Sequence, residues 1–118
     1  DTDACIAIIK RKGPYQDILD KILYSRVFIS AISEFELLLR TTNIEPVEAF
    51  IKDLEILDFD PIAARKSSEI KKALKGEGKE IEIRDLFIAS SAIVNDCTLA
   101  TLNIKDFKNI KDLKLLEF

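Results

Sequence analysis

The sequence contains no histidine, no tryptophan and only three glycines among its 118 residues. Without histidine, Ser-His-Asp and Cys-His catalytic groups are excluded, and so are metal sites that depend on imidazole ligands. The glycines, at positions 13, 76 and 78, form neither a phosphate-binding loop nor a dinucleotide-binding loop. If the chain is an enzyme, its working groups are therefore expected to be carboxylates, hydroxyls and lysines.

Long apolar runs and a strongly basic composition are also missing. No stretch approaches the roughly 18 apolar residues of a membrane span, and no signal peptide is apparent. Because the net charge is −3, any surface that binds nucleic acid must be local. Cys5 and Cys97 fit no zinc-binding spacing and lie in apolar stretches. They predict buried free thiols and a cytoplasmic protein with no membrane association.

The residues that are present predict one globular α/β domain over residues 1–118. Apolar residues make up 47% of the chain and charged residues 33%, which is typical of a globular protein. Hydrophobic periodicity predicts helices over residues 4–12, 15–25, 33–40, 43–54, 62–75 and 84–95. Apolar runs predict strands over 26–30, 55–59, 98–101 and 113–118. Strands separated by helices indicate an α/β sandwich with a mainly parallel sheet.

The helix predicted over residues 84–95 is apolar on nearly every side, which indicates a buried helix. Its first turn nevertheless carries a carboxylate, Asp85. One interpretation is that this charge favours the positive end of the helix, which is worth about 0.3–1 kcal/mol. The other is that Asp85 points into a functional site.

Other carboxylates follow the predicted strands. Glu36 follows the strand that ends near Ile29, and Asn103 and Asp106 follow the strand that ends near Thr101. Parallel sheets bind ligands at the carboxyl ends of their strands. Asp1 would lie at this edge only if a strand preceded it. Oxygen ligands of this kind suit Mg²⁺ or Mn²⁺.

At these residues the chain resembles the PIN-domain family, and within it the VapC-type toxins of toxin–antitoxin pairs. The likeness is carried by four stretches in the family's order: Asp1-Thr2-Asp3, Ser33-Glu34-Phe35-Glu36-Leu37, Asp85-Leu86-Phe87-Ile88-Ala89, and Leu99-Ala100-Thr101-Leu102-Asn103 with Asp106-Phe107. It implies a three-layer sandwich around a mainly parallel central sheet. It also implies that a first strand is missing before Asp1. Because an ammonium at Asp1 would compete with a metal, we expect further residues to precede it.

The resemblance also implies an activity, partners and site residues. The activity is that of a Mg²⁺- or Mn²⁺-dependent endoribonuclease, and the partners are an RNA substrate, a cognate antitoxin and a second copy of the chain in a homodimer. The implied metal ligands are Asp1, Glu36, Asp85 and Asn103, and the implied catalytic set adds Asp106. The fourth position in the family is often Asp, but in this sequence it falls on Asn103. Either Asn103 or nearby Asp106 could therefore complete the site.

Simpler interpretations exist for each residue. Ser33 and Glu36 also fit a capping box, and Glu36 and Arg40 fit an ion pair one helical turn apart. Asp1-x-Asp3 also resembles the nucleophile pair of haloacid-dehalogenase-type phosphatases. A non-catalytic interaction domain of the same fold is a further alternative, because Asn103 brings no negative charge.

A basic segment lies between residues 65 and 79. Such a segment is usually a solvated helix face, but it could also hold RNA phosphates beside the acidic residues. The residues predicted for this role are Lys71, Lys72 and Lys75.

Overall fold

The helices begin and end close to the predicted positions in the computed structural model, which describes residues 1–118. Seven helices are formed: α1 (Thr2–Lys10), α2 (Tyr15–Ile22), α3 (Ala31–Leu38), α4 (Glu45–Lys52), α5 (Pro61–Gly76), α6 (Ile83–Val94) and α7 (Ile104–Phe107). Four short strands accompany them: β1 (Phe28–Ser30), β2 (Glu55–Leu57), β3 (Leu99–Ala100) and β4 (Leu115–Leu116). The single-turn helix α7 was not predicted, because four residues are too few to show a helical period.

Side-chain caps fix where several helices start. Asp60 caps α5 through a bond from the Ala63 amide to its carboxylate at 2.9 Å, with Pro61 in the first turn. Ser30 caps α3 in the same way, because its hydroxyl accepts from the Ser33 amide at 3.0 Å. The predicted capping box at Ser33 is therefore wrong, since α3 begins before that residue.

The strands pair in parallel, as predicted, but they form two separate pairs. β1 pairs with β2, with Ile29 opposite Ile56, and β3 pairs with β4. A continuous central sheet would need neighbouring strands about 4.8 Å apart. Here a cleft of about 390 Å³ instead lies between β1 and β3, and α1 and α6 also line it.

The predicted burial of α6 is confirmed. Its residues Leu86, Ile88, Ala89 and Ala92 are all buried in the largest hydrophobic core, which α5 and Phe107 of α7 complete. A second core lies under α3 and α4 and contains residues of β1 and α1. Since α6 is packed along its whole length, its first turn is held in a fixed position.

Both cysteines are unpaired, and no helix resembles a membrane span. Cys5 is buried and unpaired as predicted, whereas the equally unpaired Cys97 is partly exposed, because it follows the end of α6 in a turn. The longest helix, α5, has 16 residues, and none of the helices has the length and apolar character that a membrane crossing requires.

Candidate active site

Asp85 lies in the first turn of α6 and is half-buried. The turn is closed by Glu82, whose carboxylate accepts from the amides of Arg84 at 2.9 Å and Asp85 at 3.3 Å. The next residue, Leu86, is 2% exposed. The buried body of the helix thus fixes the carboxylate of Asp85 at the margin of the core.

Asp85 is surrounded by other carboxylates. Burial, as the largest cause, and then the negative charges of Glu82, Asp106, Glu36 and Asp3 together raise the pKa of Asp85 from 3.8 to about 6. Glu82 is a neighbour in sequence, whereas Asp3, Glu36 and Asp106 come from other helices and are brought to Asp85 by the fold. We refer to Asp1, Asp3, Glu36, Asp85 and Asp106 together as the acidic cluster.

Glu36 is held by a hydroxyl from another helix. Its Oε1 accepts a hydrogen bond from Thr2 Oγ1 of α1 at 2.7 Å, and its side chain is 20% exposed. Its Oε2 lies 3.4 Å from Nη1 of Arg84. The predicted pair with Arg40 is not formed, because Arg40 turns to the carbonyl of Asn43. Glu36 therefore points toward α6 and not along its own helix.

Asp1 joins α1 to the end of β3. Its Oδ1 accepts from the Ala4 amide at 2.9 Å, and its Oδ2 accepts from Thr101 Oγ1 at 2.6 Å. Its backbone nitrogen donates to the carbonyl of Ala100 at 2.6 Å. Asp1 is thus fixed at the carboxyl end of β3.

Asn103 and Asp106 contribute in different ways. Asn103 precedes α7, and its Nδ2 donates to Oδ2 of Asp3 at 2.7 Å. Its amide donates to Thr101 Oγ1 at 2.9 Å. Asp106 lies on α7 and is exposed, and its charge acts on Asp85. Asn103 is therefore a structural link to Asp3, whereas Asp106 adds negative charge.

The predicted metal ligands are neighbours, but they do not converge on one point. No group of three or more Asp, Glu or Cys side chains is arranged closely enough to hold a metal ion. Several carboxylate oxygens are instead occupied by hydroxyl, amide and guanidinium donors. The donor chemistry, all oxygen and mostly anionic, fits Mg²⁺ or Mn²⁺. The ligating arrangement expected of Asp1, Glu36, Asp85 and Asn103 is not assembled in this structure.

Two residues of this region were missed by the sequence reasoning. Asp3 was named in the phosphatase-like pair and in the stretch that carries the family resemblance but not as a site residue, yet its charge acts on Asp85. Arg84 contacts Glu36 across 48 positions of sequence, which no local pattern signals. Thr2 and Thr101 are the donors that orient Glu36 and Asp1.

The predicted RNA-binding lysines lie on the exposed side of α5. Lys71, Lys72 and Lys75 are exposed and form no ion pair, whereas Ser67, Ile70 and Leu74 of the same helix are buried. Only a short loop joins the end of α5 to the start of α6, and the two helices pack together. The basic end of α5 and Asp85 therefore lie toward the same end of this helix pair.

Comparison with known proteins identifies close likenesses over nearly the whole chain. The model of the PIN domain matches residues 1–113. Ribonuclease VapC2 of Rickettsia felis is 34% identical over 124 residues, which cover 98% of this chain and 92% of the relative. The tRNA(fMet)-specific endonuclease VapC of Salmonella typhimurium is 31% identical over 122 residues, with the same coverage of both chains.

Solved structures agree with these sequence relatives. VapBC2 from Rickettsia felis, bound to a DNA fragment from its promoter, matches with a TM-score of 0.85 and 30% identity, over 99% of this chain and 95% of that one. DNA-bound VapBC from Salmonella typhimurium matches with a TM-score of 0.86 and 29% identity, over 99% and 94% of the two chains.

Proposed function

The chain belongs to the PIN-domain family, and from this premise we propose that it is a VapC-type toxin, a metal-dependent endoribonuclease. The observation that carries the proposal is the negative charge that surrounds Asp85. Carboxylates of α1, α3 and α7, together with Glu82 at the cap of α6, act on one half-buried position at the start of a buried helix. Mutual repulsion of this kind is what a divalent cation relieves.

Asp85, Glu36 and Asp1 would hold the cation, which is Mg²⁺ or Mn²⁺, with Asn103 or Asp106 as the fourth group. When bound, the cation lowers the pKa of a coordinated water and neutralises charge on phosphoryl oxygens. The protein's own hydroxyls have a separate role. Thr2 and Thr101 orient the carboxylates of Glu36 and Asp1, and they restrict the rotamers that these side chains adopt.

RNA is the proposed substrate, and the α5 lysines are proposed to hold its phosphates. They are unpaired in the structure, so that binding RNA breaks no existing ion pair. Because these lysines lie toward the end of α5 that leads to α6, they would place the RNA backbone near the acidic cluster. The relatives named as ribonucleases support this assignment.

A cognate antitoxin is the proposed protein partner. The structural relatives are VapBC toxin–antitoxin complexes. The acidic cluster forms one side-chain ion pair, with Arg84. It is a suitable target for an arginine of another chain, because guanidinium and carboxylate form paired charge-assisted hydrogen bonds. We also propose a homodimer, whose interface no feature of a single chain identifies.

Cleavage of RNA by the purified protein tests the activity. We expect cleavage in Mn²⁺, its loss on addition of a chelator, and at least a 10²-fold decrease in Asp85→Asn and Glu36→Gln. Asp60→Asn is the matched control, because Asp60 also lies at a helix start and Asn caps a helix as well as Asp. Equal cleavage by all these variants would contradict the proposal. If the protein binds an antitoxin but neither cleaves RNA nor binds Mn²⁺, the result favours a non-catalytic interaction domain.

A further inference from the structure

Arg84 is the only side-chain cation that forms an ion pair with the acidic cluster. The other cations near the start of α6 pair elsewhere or remain free, as Lys79 does by contacting Glu77. An arginine placed among the acidic residues of a proposed nuclease site has two possible roles. It either neutralises them as part of the fold, or it binds the negatively charged substrate.

Arg84 contacts two glutamates, one through Nε and one through Nη1. Its Nε donates to Oε1 of Glu82 at 3.1 Å, while Nη1 lies 3.4 Å from Oε2 of Glu36. Glu82 is itself fixed, because its other oxygen accepts the amides at the start of α6. The side chain of Arg84 is 49% exposed, and its Nη2 forms neither a hydrogen bond nor an ion pair, although it carries two N–H donors.

The contact with Glu36 is the weaker of the two. It is longer than the contact with Glu82, and an ion pair exposed to this degree contributes little to stability. A cation held by Glu36 would compete with Arg84 for the same carboxylate. The guanidinium would then lose Glu36 but keep Glu82, and it would remain at the edge of the cluster with free donors.

We propose that Arg84 binds the phosphate group of the RNA that is cleaved and that Glu82 positions it, while Glu36 would be one of the residues that hold the cation. The planar guanidinium offers two parallel N–H groups, which match two phosphate oxygens. This inference rests on the proposed nuclease function, because it requires both a cation at Glu36 and a phosphate beside it.

The test compares Mn²⁺ affinity with cleavage in the same variants. In Arg84→Gln, loss of a positive charge near the site should tighten Mn²⁺ binding about three- to tenfold, measured by thermal unfolding without RNA. Cleavage of a random-sequence RNA pool should fall about 10²-fold, which is the loss typical of removing one donor that stabilises developing charge. Arg84→Lys should keep the affinity for Mn²⁺ near that of the wild type and show an intermediate rate, because it retains charge but not the paired donors.

Arg26→Gln is the matched control. Arg26 is also an arginine held by a glutamate, through Nε and Nη2 contacts of 2.9 and 2.7 Å with Glu55. It precedes the start of β1, whereas Glu36 follows the end of that strand. Its replacement changes the net charge equally, and it should alter Mn²⁺ affinity and cleavage by less than twofold.

Three outcomes would overturn the inference. If cleavage by Arg84→Gln equals that of the wild type, Arg84 does not bind the phosphate. If Mn²⁺ affinity and cleavage fall together, Arg84 acts only by holding Glu36 in place. If the wild-type protein binds Mn²⁺ but cleaves no RNA, the nuclease proposal fails as well, and the wild-type measurement alone identifies that case.

Discussion

Asp85→Asn should stabilise the protein in the absence of a metal, although it removes a group proposed to be essential for activity. The wild-type carboxyl has its pKa raised from 3.8 to about 6, chiefly by burial and then by the neighbouring carboxylates. Asparagine has nearly the same shape but cannot ionise, so that the repulsion disappears. The substitution thus separates the destabilisation caused by placing the carboxylates close together from their proposed role in activity.

The expected gain follows from the size of the pKa shift. A shift of about two units corresponds to about 3 kcal/mol for a fully buried group. Because Asp85 is only half-buried, solvent screening reduces this to roughly 1–2 kcal/mol. Loss of the favourable charge at the start of α6 offsets about 0.3–1 kcal/mol. We expect a net gain of about 1 kcal/mol in the free energy of unfolding at pH 7.5.

The pH dependence gives this prediction a second signature. Between pH 3.8 and about 6 the folded state holds the Asp85 proton more tightly than the unfolded chain does. The stability contributed by the protonated group is therefore present below pH 3.8 and is lost as the pH rises through about 6. Asp85→Asn lacks this loss, so its advantage over the wild type should grow from pH 4 to pH 7 and then stay constant.

Urea unfolding in a chelator, followed at pH 4.5 and 7.5, measures both effects. Asp60→Asn serves as the control, because it removes a charge at the start of α5 and retains the cap. Added Mn²⁺ should then stabilise the wild type, by about 2.7 kcal/mol at a hundred times the dissociation constant, and should leave Asp85→Asn unchanged. The reasoning is refuted if Asp85→Asn is less stable than the wild type in chelator at pH 7.5.

Three further substitutions test other parts of the structure. Thr101→Val, at a residue 1% exposed, leaves Oδ2 of Asp1 without its donor and should cost about 1–3 kcal/mol in urea unfolding and weaken Mn²⁺ binding. Phe107→Ala, also 1% exposed, should cost about 3–5 kcal/mol in the same assay, which would show that the short helix α7 is part of the main core. Replacement of all three α5 lysines by Ala should weaken binding of single-stranded RNA and make its log–log salt slope shallower by about 2, whereas an unchanged slope would remove these lysines from the interface.

Much of the fold could be predicted because its signals are local. The start of α5 is marked by Asp60 followed by Pro61, which are a typical capping residue and a typical first-turn residue of a helix. The apolar circumference of α6 predicted its burial, which the positions of Leu86 and Ala89 confirm. Patterns of this kind depend on residues within one or two helical turns, so that they can be recognised in a single sequence.

Errors occurred where contacts between distant segments decide the outcome. Ser33 looked like a helix cap, but Ser30 at the end of β1 takes that role and places Ser33 inside the helix. Glu36 looked like the partner of Arg40, but the fold brings Arg84 and Thr2 to it. Neither choice could be made from sequence spacing, because each depends on how α1, α3 and α6 pack.

The acidic cluster also combines features that local sequence predicts with features that depend on contacts between distant segments. The sequence indicated which residue types would gather and at which ends of the elements, but not which of their oxygens would be free. The sequence did not distinguish Asn103 from Asp106 as the fourth group of the predicted metal site. In the structure the side-chain amide of Asn103 is committed to Asp3, while the charge of Asp106 acts on Asp85. A cation beside Asp85 would gain electrostatic attraction from Asp106 and none from the neutral amide, which favours Asp106 as the group that completes the proposed site.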